Sequence, residues 1–382
     1  MRITDVRIFR LDLELPTPFR TSTSVHRRSD NVLVIIDTDE GIVGYGECMA
    51  SASDLYSQIE VLRILRKIKL SLFGQDPRDI EGIHELLSAA EMKMGESFRE
   101  AKASIDFACY DILGKSLGKP VYEVLGVSEP RIVFTSMTIG LDTPRKMMEM
   151  TRKYMERFKL NGLRRIKLKI EGEPKVDLKR VLLVADVFPG ELTLDVNEGF
   201  KDPKVAVKLF NELHKELGDK ILLIEEPCPR GDLKRTKYVT ANSKIPIFAD
   251  QSAASFEKAR EIIEQEAANG INIKLDRAGG IYWGIKIAEI AEKSHMNLMV
   301  TGTFSCGIHH TAAAHFAAAI KNVINADIDT DITFNLYQHL LEEFAEFKNG
   351  SRIPPNKPGL GVRLKSWIKA LLDEEIIIER YS

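Results

Sequence analysis

Between residues 132 and 329 short β-branched and apolar runs alternate with amphipathic segments, and few folds accept that rhythm. The runs are IVFTSMTI (132–139), RRIKLKI (164–170), LTLDV (192–196), ILLIEE (221–226), IPIFAD (245–250), INIKLD (271–276), NLMVTG (297–302) and VINADID (323–329). Strands linked by helix-length crossovers pair in parallel, and eight of them in about 200 residues predict a (β/α)8-type barrel. Asp142-Thr143-Pro144 and Asp202-Pro203 each put a capping side chain and a proline where a crossover helix begins. An open doubly wound sheet would show a glycine-rich turn after its first strand, and IVFTSMTI is followed by none.

Ahead of the barrel, residues 3–15, 32–37 and 42–46 read as an antiparallel meander, with Asp39-Glu40-Gly41 turning between the last two. The polar stretch Arg20–Asp30 reads as a loop, either solvated surface or a flap. Phe98, Ala101, Ile105, Ala108 and Ile112 step by three and four and predict a helix over 97–114. A boundary near Gly126–Pro130 gives an α+β capping domain over 1–128, a barrel over 129–330, and a segment over 331–382 that returns to the cap. Hydrophobic residues at 44% and charged residues at 29% can fill a core and rule out wholesale disorder. Lys+Arg at 54 against Asp+Glu at 56 leaves no basic excess for nucleic acid, and no apolar run reaches the ~20 residues that span a bilayer. Met1–Leu15 lacks a signal-peptide pattern, and Cys48, Cys109, Cys228 and Cys306 have no metal or redox spacing, so reduced thiols in a cytoplasmic enzyme are expected.

Active sites of barrels sit at the C-terminal ends of the strands. There the sequence places Lys167 and Lys169, then Asp195, Glu225, Asp250 and Lys274, the last five at intervals of 26, 30, 25 and 24 residues, each about one βα unit. A single acid at a strand end is commonly a helix cap. Charges inside apolar runs such as Ile-Lys-Leu-Lys-Ile are costly unless paired or metal-bound, so the joint pattern points to a site. Three converging carboxylates call for a divalent cation. An oxygen-only set suits Mg²⁺ best and Mn²⁺ next, and the absence of His and Cys argues against Zn²⁺. Lys167 and Lys169 lie two apart on one strand and share a face. Crowded cations disfavour protonation, so a lysine there is expected to act as a base near neutral pH, with Lys274 opposite.

These blocks, together with DEGIVGYGE (39–47), LDVNEGF (194–200), IEEP (224–227), ADQS (249–252), IKLDRAGGI (273–281), TAAAHFAA (311–318) and KPGLGV (357–362), resemble the enolase superfamily in its muconate-lactonising subgroup. The resemblance implies a modified TIM barrel, (β/α)7β, under an N-terminal α+β cap, and a likeness to dipeptide epimerases. It implies Asp195, Glu225 and Asp250 as Mg²⁺ ligands, Lys169 and Lys274 as paired acid/base groups around a metal-stabilised enediolate, and Lys167 at the substrate carboxylate. Ala326-Asp327-Ile328-Asp329 is similar to the Asp-x-Asp motif that holds a dipeptide's ammonium, and Thr138 to a substrate-contacting threonine. Phe304 and Ser24 complete the candidate substrate contacts. Ser24 stands where Ala-Glu epimerases carry a flap arginine, with Arg20, Arg27 and Arg28 nearby; Ser305 and Gln251 stand where many relatives carry glutamate. The partner expected is a small molecule, a dipeptide or N-acylamino acid, with no nucleic acid or membrane, and a homo-oligomer is expected. An N-succinylamino acid racemase, an o-succinylbenzoate synthase or a cycloisomerase are alternatives, as is a non-catalytic barrel. His309, His310 and His315 are expected to pack rather than to bind a second metal.

Overall fold

The computed structural model describes residues 1–52 and 55–368. Its centre is a parallel barrel of β4 (Ser136–Ile139), β5 (Arg165–Lys169), β6 (Glu191–Asp195), β7 (Ile221–Glu225), β8 (Ile247–Ala249), β9 (Gly270–Ile273), β10 (Asn297–Thr301) and β11 (Val323–Asp327), hydrogen-bonded in that order. A parallel bridge between Thr135 and Ala326 joins the first strand to the last, which leaves no free edge in this sheet. Seven crossovers connect the eight strands, and every strand end lies within four residues of the end of its predicted run. The observed form is (β/α)7β with an N-terminal cap, as expected.

Crossover helices turn one apolar stripe to the barrel. In the helix Pro203–Leu217, Ala206, Leu209, Phe210 and Leu213 are buried, and Asp202 caps its start by accepting the Lys204 N–H at 2.9 Å. Thr143 makes no such cap at Pro144–Arg157; Asp142 Oδ1 instead takes the Thr143 N–H, so one predicted cap is absent.

The cap is a three-stranded antiparallel sheet of β1 (Ile3–Arg20), β2 (Val25–Thr38) and β3 (Val43–Met49), backed by α1 (Gln58–Leu72), α2 (Ile80–Met94) and α3 (Arg99–Leu117). Gly44 and Gly46 let β3 lie on α3: a Cβ at either would come within 2.2 and 1.8 Å of the Ala108 and Ser104 carbonyls. The predicted stripe Phe98 to Ile112 is buried, but α3 is buried on nearly every side because it lies between the cap sheet and the barrel. The loop expected over Arg20–Asp30 is mostly strand. Phe19 pairs with His26 and Arg20 with Val25, so β1 and β2 continue as a hairpin whose tip, through Ser22 Oγ, donates to the Val196 and Asn197 carbonyls. A polar strand pair with no apolar period looks like a loop in sequence.

Three cap carboxylates grip the rest of the molecule. Asp106 takes the Ile281 and Tyr282 N–H groups at the start of the helix Ile281–Lys293; Glu47 does the same for the helix Ile308–Ala319; and Asp111 takes Leu360 N–H. Each charge-assisted bond of this kind contributes about 1.5–3 kcal/mol, and negative charge at a helix start is further favoured by the dipole. Residues 359–360 rest on α3 and on Val121, while 369–382, the end of the segment expected to return to the cap, lie outside the described residues.

Candidate active site

All six strand-end residues reach the C-terminal mouth of the barrel, and both lysines of β5 point inward. Asp195, Glu225 and Asp250 are fully buried, and each offers an oxygen within 4.8 Å of the others. Among the described residues they are the one group of three or more carboxylate, His or Cys side chains placed this way. Such crowding is relieved by a divalent cation, and the oxygen-only set fits a hard ion. Asn272 Nδ2 donates to Glu225 Oε2 at 2.8 Å and fixes that carboxylate, and Asn197 N–H donates to Asp195 Oδ1 at 3.0 Å. Burial pushes the Glu225 carboxyl up to about 8; Lys167 opposes this, and the charges of Asp195 and Asp327 add to it. Burial also acts on Asp195 and Asp250, but their lysine neighbours outweigh it and hold both carboxyls below the usual range.

Lys169 Nζ lies 2.5 Å from Asp195 Oδ2 on one flank, and Lys274 Nζ 2.8 Å from Asp250 Oδ2 on the other. Burial and the Arg277 charge push the Lys274 ammonium down from its ordinary value. Lys167 runs against the expectation of a neutralised pair. Burial opposes its charge, but Asp327 and Glu225, each at 2.6 Å, and Asp195 at 3.5 Å hold it protonated well above the ordinary lysine range.

Lys167, Lys169, Lys274 and Arg277 line a cavity of about 290 Å³ together with Thr138, Ser24, Phe304, Asp327 and Asp329, so every candidate substrate contact meets one space. Asp329 lies just past β11 and accepts from Thr138 N–H (2.7 Å), Thr138 Oγ1 (3.1 Å) and Thr333 Oγ1 (3.1 Å), while burial pushes its carboxyl up. Phe304 packs edge-on against Phe19 of the hairpin at 5.7 Å. Ser24 hydrogen-bonds Thr21 and His26 Nε2, both at 2.9 Å. Arg20, Arg27 and Arg28 are exposed and are not among the lining residues; His26 is.

Sequence reasoning passed over several residues. Glu226, the second acid of IEEP, is buried at φ 36° and accepts from Asp250 N–H (2.7 Å), Ser252 N–H (3.1 Å) and Ser252 Oγ, which sets the Asp250 backbone; burial pushes its carboxyl up to about 7. Arg277 bridges Asp250 Oδ1 (3.2 Å) to the Ala52 carbonyl of the cap. Both stood inside quoted blocks, where an acid or a cation next to a strand-end residue was a usable signal. The histidines pack as expected: His315 accepts from Tyr122 N–H, donates to the Leu360 carbonyl and stacks on Tyr122. All four cysteines are free and buried. No helix among the described residues is long and apolar enough to cross a membrane.

Comparison with known proteins agrees with this arrangement. Residues 3–126 match the family model for the mandelate racemase / muconate lactonizing enzyme N-terminal domain, and residues 149–368 match the enolase C-terminal domain-like model. The chain is 33% identical over 367 residues to an L-Ala-D/L-Glu epimerase of Clostridium acetobutylicum, covering 95% of this chain and 99% of that one. It is 33% identical over 345 residues to a hydrophobic dipeptide epimerase of Enterococcus faecalis, covering 88% and 92%. The crystal structure of a dipeptide epimerase from Enterococcus faecalis with Mg and L-Leu-L-Tyr superposes with a TM-score of 0.84 at 30% identity, over 95% of this chain and 99% of that one. An N-succinyl Arg/Lys racemase structure from Bacillus cereus gives 0.86 at 27% identity, over 98% of each. A two-domain match over most of the length, with the acidic triad inside it, means that this chain belongs to the mandelate racemase / muconate lactonizing enzyme family of the enolase superfamily.

Proposed function

We propose that this chain is a Mg²⁺-dependent dipeptide epimerase, with Mn²⁺ the next-best ion. That it is an isomerase of the epimerase and racemase kind rests on its relatives. The observation that carries the finer reading is one cavity with Lys169 and Lys274 entering from the two flanks of an acidic triad, and with Asp327 and Asp329 in its wall.

Asp195, Glu225 and Asp250 would hold the ion. Bound there, Mg²⁺ supplies positive charge that stabilises the negative charge developing on a substrate carboxylate as its α-proton leaves. The neutral amine of one lysine takes the α-proton, and the C–H bond pair passes into the carboxylate. The ammonium of the other lysine delivers a proton to the opposite face, so configuration inverts and composition is unchanged. Lys167, held charged by its carboxylates, is suited to bind the substrate carboxylate rather than to take a proton. Asp327 and Asp329 offer charge-assisted bonds to an α-ammonium.

A second reading, an N-acylamino acid racemase, is favoured by one contact: Asp327 Oδ2 lies 2.6 Å from Lys167 Nζ, so an incoming ammonium must share it. Epimerisation assays across dipeptides and N-succinylamino acids, with and without EDTA, separate the readings. Dipeptide turnover that EDTA abolishes and Mg²⁺ restores is expected. Full turnover by metal-free enzyme would overturn the ligand assignment, and turnover confined to N-acyl substrates would establish the second reading.

A further inference from the structure

We infer that His310 is a positioning residue that carries both ring protons and, as an imidazolium, ties together the two strand exits that form one wall of the cavity. The ring is fully buried in the first turn of the helix Ile308–Ala319. Nδ1 lies 2.7 Å from Asp331 Oδ1, and Nε2 lies 2.8 Å from the Thr303 carbonyl oxygen. Neither partner can donate. A carbonyl oxygen has no proton, and Asp331 also takes both Arg352 Nη1 (2.6 Å) and Nη2 (2.8 Å), whose charge opposes burial and favours the carboxylate. Thr330 Oγ1, 3.4 Å from Nε2, directs its proton to the same Thr303 oxygen at 2.8 Å. A neutral ring would therefore set one nitrogen lone pair against an oxygen lone pair where water does not reach.

Opposing effects are present and are answered. A cation at a helix start is disfavoured by the dipole, and Arg352 is a second cation. Glu47 accepts the Ile308 and His309 N–H groups at that start, and Asp331 lies between the two cations. Asp276, which accepts from Thr303 Oγ1, supplies further negative charge. The neighbouring His309, its ring centre 5.7 Å away, is pushed toward the neutral form by burial.

The consequence is mechanical. Gly302 lies against the ring so closely that a Cβ there would meet Nε2 at 2.1 Å. From the other end, Arg352 Nη1 donates to the Ile328 carbonyl, between Asp327 and Asp329, at 3.1 Å. Thr303, His310, Asp331, Arg352 and Ile328 thus form one hydrogen-bonded chain across the exits of β10 and β11. Those exits present Thr301, Phe304, Asp327 and Asp329 to the cavity, while His310, Asp331 and Arg352 are not among its lining residues. His310 acts through the segments it holds.

The test has two arms, and only the second rests on the epimerase reading. Nitrogen NMR of histidine-labelled protein at pH 7.5, with the signal assigned by its loss in His310→Gln, is expected to show both His310 nitrogens protonated. His315, whose titration burial pushes down to about 4, serves as the neutral reference. A neutral His310 overturns the proposal. In the kinetic arm, His310→Gln and Asp331→Asn should each raise the dipeptide KM by about tenfold or more, while kcat and Mg²⁺ affinity stay near wild type. If His310→Gln does not fold, assignment and kinetics pass to Asp331→Asn. An unchanged KM in a folded variant overturns the positioning role. A wild type that turns over no dipeptide strikes at the epimerase reading instead and leaves the NMR result standing.

Discussion

Glu47→Gln tests how the cap is held on the barrel, and its magnitude can be worked from the contacts. The carboxylate is fully buried on β3. Oε1 accepts from Asn31 Nδ2 (2.6 Å) and Cys306 N–H (2.5 Å); Oε2 accepts from Ser305 Oγ (2.8 Å), Ile308 N–H (3.1 Å) and His309 N–H (3.3 Å). Every partner is a donor, so whichever oxygen becomes NH2 faces at least two donors with a donor. Losing two charge-assisted bonds at about 1.5–3 kcal/mol each gives a destabilisation of about 3–6 kcal/mol. Equilibrium urea unfolding of wild type and variant measures it as a fall in midpoint at similar slope. Because the same loop carries Phe304 into the cavity, the substrate KM should rise while metal affinity holds. A stability loss below about 1 kcal/mol would refute the reasoning, since that is the scale of a single ordinary hydrogen bond.

Asp329→Asn should lower kcat/KM for dipeptides with a free N-terminus by ~10–150-fold and affect N-acylamino acids much less, because one charge-assisted bond to an ammonium disappears while the shape is kept. Steady-state kinetics on both substrate classes checks it, and unchanged dipeptide turnover would favour the N-acyl reading. His315 gives a pH prediction: its ordinary value of 6.5 is pushed down to about 4 by burial, with the bond to the Leu360 carbonyl opposing. Between those pH values the unfolded chain binds a proton the native state refuses, so stability falls as pH drops from about 6.5 to about 4. His315→Gln should lack this component, so the wild type should lose ~3 kcal/mol more than the variant across the window in denaturant titrations.

The barrel was legible because its strands are buried on both faces and read as continuous β-branched runs, and the acids and lysines at their ends stood out against that background. The same contrast located Asp195, Glu225, Asp250 and the three lysines. The hairpin over Arg20–Asp30 was not legible, since alternate residues face the cavity and solvent and both faces are polar. The protonation of Lys167 was not legible because its decisive partner, Asp327, is 160 residues away. Glu47 with Ser305, Arg277 with Ala52 and His310 with Asp331 and Arg352 are likewise long-range pairs that periodicity cannot express.

The central claim is that two lysines serve opposite faces of one α-carbon, and α-hydrogen exchange in D2O with each stereoisomer of a dipeptide substrate tests it most directly. With Mg²⁺ present, wild-type enzyme should exchange both isomers and interconvert them. Lys169→Ala should exchange one isomer without inverting it, Lys274→Ala should exchange the other, and neither should epimerise, each having lost a group that typically contributes ~10²–10⁴-fold. If either variant exchanges and interconverts both isomers at the wild-type rate, the two-lysine account is contradicted.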